Sequence, residues 1–249
     1  MSDYPAMYRS LNASLIVDTC RSTQARISER FTDSGLSKIA EEILAVSEQA
    51  AGLSAWLAKP HLSLRTLAGI GIVTIFAIII SVAMHIKVQM TVGSIGEFLQ
   101  GLDAAINEVV FVGVAAFFFV TLETRLKRTR ALKALRELRS LAHIIDMHQL
   151  TKDPEHIAGT TTDTTTLQKK RPQNPVELIR YLDHCSDLLA LISKIAALYV
   201  QDFDDPVTLV AVNEIENLTN GLSRKIWQKI MILDRILTPG NAAPAINRS

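Results

Sequence analysis

The sequence predicts an all-α membrane protein, in which a two-helix transmembrane hairpin carries long cytoplasmic helices that form a helical bundle. Three observations predict it. Two apolar runs lie close together in the 249-residue chain, a dense basic cluster follows the second, and apolar residues recur at helical spacing on both sides. Hydrophobic residues make up 48% of the chain and the mean hydropathy is +0.21. The enrichment is concentrated in the two runs. The net charge of +1 supplies no global field for nucleic acid, so no nucleic-acid partner is expected.

The first run, 66–86, reads TLAGIGIVTIFAIIISVAMHI and lies between Arg65 and Lys87. It holds no acid, lysine or arginine, and it matches the roughly 20 apolar residues that a bilayer core of about 30 Å requires. The second run is apolar from Val109 to Leu122, which alone reaches only about 21 Å. A full crossing, 104–122, must therefore take in Asn107 and Glu108. This places an ionisable side chain about one turn inside the membrane edge, where its head reaches the interface. Asn107 and Glu108 are accordingly the candidate intramembrane polar site, and a ring of Glu108 in an oligomer would line a cation path.

Orientation follows from the positive charges. Arg125, Lys127, Arg128, Arg130 and Lys133 follow the second run, whereas 88–103 contains neither lysine nor arginine. Both termini are thus expected in the cytoplasm of a bacterial inner-membrane protein. Those five residues form the candidate lipid-facing basic cluster, with the bilayer, and anionic lipids in particular, as partner. No cleavable signal peptide is expected, since the first long apolar run begins near residue 66.

The flanking segments read as helices. Asp33-Ser34-Gly35 opens one whose stripe is Ile39, Ile43, Val46, Ala50, Leu53 and Leu57, at coiled-coil spacing, and Pro60 stops it. Before it, a short helix around 7–17 is expected. After the second run, a stalk continues to about Leu150 with Leu132, Leu135, Leu138, Ala142 and Ile145 on one stripe, stopped by Asp153-Pro154. The polar, threonine-rich stretch 158–175 reads as a linker.

Two further stripes follow. The first runs through Leu178, Leu182, Cys185, Leu188, Ile192, Ile195 and Tyr199. The second, after an Asp205-Pro206 helix start, runs through Ile215, Leu218, Leu222, Ile226, Ile230, Leu233 and Leu237. Asn220-Gly221 is expected to kink or split that last helix. The domains are therefore an N-terminal helical region (1–62), the transmembrane hairpin (63–124), a stalk (125–157), a linker (158–175), a C-terminal helical hairpin (176–238) and a loose tail (239–249).

Chemistry is sparse. Phosphate loops, nucleophile elbows, HExxH and carboxylate pairs with a nearby base are absent from the sequence. No catalytic, cofactor or metal residue is assigned, and no enzyme is expected. His143 and Asp146 share a helical face, but His148 points about 140° from His143, which leaves a metal too few ligands. Cys20 and Cys185 show no metal-type spacing and read as buried thiols. Asn12-Ala-Ser and Asn217-Leu-Thr match a glycosylation pattern by accident. In outline the build is similar to magnesium and calcium channel families, but 88–103 contains neither the Gly-Met-Asn nor the Asp-Ile-Met-Glu turn of those families. The expected function is a non-enzymatic scaffold or interaction protein, self-associating or bound to a helical partner. A channel or transporter subunit and a membrane sensor or signalling adaptor are the alternatives.

Overall fold

In the computed structural model, residues 10–85, 95–150 and 174–237 are described, and all their regular structure is helical. The helices are α1 (Ala13–Arg30), α2 (Gly35–Ala58), α3 (Leu62–His85), α4 (Ile95–Leu150), α5 (Pro175–Leu198) and α6 (Pro206–Leu237). The 86–94 connection, nearly all of the expected linker, the end of the stalk and the tail lie outside the described residues. The chain divides into two compact units, 1–58 with 131–249 and 59–130, and the long α4 contributes to both.

The larger unit is a helical bundle. Asn12 caps α1 by accepting hydrogen bonds from the backbone N–H groups of Ser14 and Leu15, so this residue of the glycosylation-like pattern has a structural role. The helix spans Ala13–Arg30, well beyond the short 7–17 segment expected. Its buried face is Ile16, Val17, Cys20, Thr23 and Ile27. Two of those five are a thiol and a hydroxyl, which dilutes an apolar stripe. The turn into α2 places Asp33 at φ 55, a left-handed conformation that aspartate tolerates better than most residues. Ser34 Oγ then accepts from Ser37 N–H at 3.1 Å, capping α2.

The α2 stripe buries Ile39, Ile43, Val46, Ala50 and Leu57 as its spacing requires, with Leu53 partly covered. On α5 all seven stripe residues are buried, together with Tyr181, Leu189, Leu191, Ala196 and Leu198. That wider arc follows from position, because α5 packs against α1, α2 and α6. Asp205 caps α6 by accepting from the N–H and hydroxyl of Thr208 at 2.9 and 2.8 Å, with Pro206 in the first turn where it lacks no needed donor. The helix runs unbroken through Asn220-Gly221. A helical glycine costs about 1 kcal/mol relative to alanine, and the buried Thr219, Leu222 and Ile226 around it outweigh that.

The second half of α4, expected as a stalk, contributes Ala131, Leu135, Leu138, Leu141, Ala142 and Ile145 to the same core. It lies alongside α6 in the same chain direction, joined by Arg139 to Glu214 at 3.0 Å and by Lys229 Nζ to the Gln149 carbonyl at 3.2 Å. It also approaches α2 closely. A Cβ on Gly35 would collide with the His148 imidazole, so only glycine fits there without a shift.

Candidate membrane-facing site

The smaller unit holds α3 and the first part of α4. Its outer surface is apolar where a water-facing helix would be polar. Ile70, Val73, Phe76 and Ile80 are exposed on α3, and Val109, Val110, Val114, Phe117 and Val120 on α4. Phe111 is 75% exposed. Hydroxyls within this surface are satisfied by their own helix: Thr74 donates to the Ile70 carbonyl at 2.8 Å and Thr121 to Phe117 at 2.9 Å. Those two hydroxyls are satisfied without water. Among the described residues one helix, the α4 stretch Val109–Gln149, is long and apolar enough to cross a membrane, and its apolar window is not buried inside the protein. Arg65–Ala77 is a shorter apolar stretch.

One end of this surface carries an ionic clasp centred on Glu123. Its carboxylate accepts from Arg65 Nε at 2.9 Å, from Lys127 Nζ at 3.0 Å and from the backbone N–H of His61 at 3.2 Å. Lys127 Nζ also donates to the Lys59 carbonyl at 2.8 Å. Burial would raise the Glu123 pKa. The hydrogen bonds from Arg65, Lys127 and His61, with the charge of Lys127, outweigh it and hold the carboxyl at about 2, against an ordinary 4.5.

The two cations differ in weight. Arg65 is 63% exposed and contributes roughly 0–1 kcal/mol. Lys127 is 8% exposed and Glu123 14%, so this pair lies mostly out of water and breaking it from one side costs more. Further along, a Cβ on Gly71 would come within 2.9 Å of the Phe119 ring. Lys59 meets Lys127, Arg65 meets Glu123 and Gly71 meets Phe119, so the two helices approach one another in opposite chain directions.

The expected site residues fall as follows. Asn107 lies on α4 and is exposed; Glu108 is in the same helix, with its side chain outside the described residues. Of the basic cluster, Arg125 is exposed with its guanidinium 5.7 Å from the Phe118 ring centroid, a cation–π geometry. Arg128 is half-buried, and Arg130 and Lys133 are exposed. Lys127 turns inward to the clasp, with its side chain 8% exposed. His143 is exposed and His148 faces Gly35. Among the described residues no three His, Cys, Asp or Glu side chains group as metal ligands.

The clasp itself was not anticipated. Arg65 reads as a charge flanking the first apolar run, and Glu123 falls at the end of the 63–124 hairpin region. The available signal was a single acid between two apolar-run ends that are otherwise basic. No family profile, curated protein or solved structure matches the chain.

Proposed function

We propose that the chain is an integral membrane scaffold, anchored by a two-span hairpin of α3 and the first part of α4 and acting through its cytoplasmic helical bundle. The exposed apolar surface of the smaller unit carries this reading. Each large side chain left in water forgoes about 1.5–3 kcal/mol, and Ile70, Val73, Phe76, Val109, Phe111, Val114 and Phe117 together forgo an amount on the order of a domain's typical stability of about 5–15 kcal/mol. Lipid removes that penalty. The opposed contacts between the helices and the cluster from Arg125 to Lys133 support a hairpin with its charged end at a cytoplasmic, anionic surface. The bundle offers helical faces to a second copy or to a helical partner and no catalytic constellation among the described residues.

Extraction of membranes with alkaline carbonate tests this. The full chain is expected to stay in the pellet and to be released only by detergent. Release into the carbonate supernatant would show that the apolar surface meets protein rather than lipid.

A further inference from the structure

The bundle contains a cleft that membrane anchoring does not use. It is a cavity of about 620 Å³ on the α1–α5 side of the larger unit, within the range of small-molecule sites. Helical spacing builds both walls. Arg26 and Arg30 stand one turn apart on α1, while Arg180, Asp183, His184 and Asp187 recur at i, i+3, i+4 and i+7 on α5. The Phe31 ring meets Tyr181 and His184 edge-on, with centroids 5.6 and 6.1 Å apart, so it packs against one of the side chains that line the cleft.

Two features point to a ligand. None of the three guanidiniums holds a carboxylate among the described residues, although Glu29, Asp183 and Asp187 line the same cleft. Arg26 reaches only the Thr23 hydroxyl, at 3.1 Å. Independently, His184 Nδ1 is buried without a hydrogen bond among the described residues, and the nearest carboxylate oxygen, on Asp187, is 3.7 Å away, too far for one.

We propose that this cleft binds a small phosphate monoester that also carries hydroxyl donors, with Arg26, Arg30 and Arg180 on the phosphate. Guanidinium forks match phosphate oxygens in pairs. The acids decide the rest of the molecule. A bare anion would be repelled by Asp183 and Asp187, whereas hydroxyls beside the phosphate turn them into acceptors. Such chemistry is found both in a free sugar- or polyol-phosphate and in the phosphomonoester headgroup of a lipid.

Calorimetric titration of the full chain in dodecyl maltoside micelles separates the outcomes. Glycerol 3-phosphate is expected to bind saturably, and Arg30→Gln and Arg180→Gln each to weaken it about tenfold, the effect of one charge-assisted contact. Both arginines are exposed, so melting should not change and a folding defect is excluded by the same samples. Dihexanoyl phosphatidic acid forms the second arm. Binding of glycerol 3-phosphate alone assigns a free metabolite, and binding of the lipid assigns a headgroup, provided the arginine variants weaken it. Absence of saturable binding by either probe, or binding that both variants retain at wild-type strength, overturns the proposal.

Discussion

Ile43→Asp is expected to abolish the cooperative melting of the helical bundle. Ile43 is fully buried on α2, which packs against α1 and α5. Trimming a buried isoleucine costs about 2–5 kcal/mol through lost transfer energy and the cavity left behind. An unpaired carboxylate at the same place adds several kcal/mol more, or forces the group to take up a proton. The sum approaches the whole stability of about 5–15 kcal/mol that a domain has. Circular dichroism of the full chain in detergent measures it, with the exposed Glu41→Asp on the same helix as control. The control should stay within about 0.5 kcal/mol of wild type. If Ile43→Asp melts where wild type does, α2 is not part of a shared core.

The second large effect is expected at the clasp. Glu123→Ala takes from the nearly buried Lys127 ammonium the carboxylate it pairs with at 3.0 Å, while the contact with the Lys59 carbonyl stays. Breaking a buried pair from one side costs about 3–5 kcal/mol, most of it the stranded charge. Removing that charge as well, in Glu123→Ala with Lys127→Met, should restore most of the loss. The pH dependence has a definite sign. The Glu123 carboxyl is depressed from 4.5 to about 2 in the folded protein, so its stabilisation is present above about 4.5 and is lost as pH falls toward 2. Thermal melts in detergent at pH 7, 4.5 and 3 should show an acid-induced loss in wild type that is smaller in the double variant. A double variant no more stable than Glu123→Ala, or an equal acid response in all three proteins, would remove the clasp from the account.

The parts legible in the sequence were those where one residue class repeats. The stripes of α2 and α5 are aliphatic at nearly every core position, so spacing alone identified Ile39 to Leu57 and Leu178 to Tyr199. On α6 the buried residues Thr208, Val212 and Thr219 precede or interrupt the apolar pattern. Thr219 escapes notice because its hydroxyl bonds back to the Ile215 carbonyl at 3.0 Å, which lets a polar residue occupy a core position. The extent of α1 was illegible for the same reason, with Cys20 and Thr23 inside its buried face.

Long-range geometry was the other blind spot. Nothing local to Glu123 indicates that Arg65, far away in the chain, will lie at 2.9 Å. Likewise nothing local to Arg26, Arg30 or Arg180 indicates that α1 and α5 bring them around one cleft. The last turns of α4 read as a stalk because a helix long enough to project and one long enough to join a core have the same local pattern.

The central claim is that α3 and α4 cross a membrane as a pair, with both ends of the chain on one side. Alkaline phosphatase, active only outside the cytoplasm, tests it when fused within 88–103, after Arg139, or at the C-terminus. The account predicts activity from the 88–103 fusion and none from the other two. An inactive 88–103 fusion beside an active C-terminal one would reverse the orientation, and activity at both positions would show that the second apolar run does not cross.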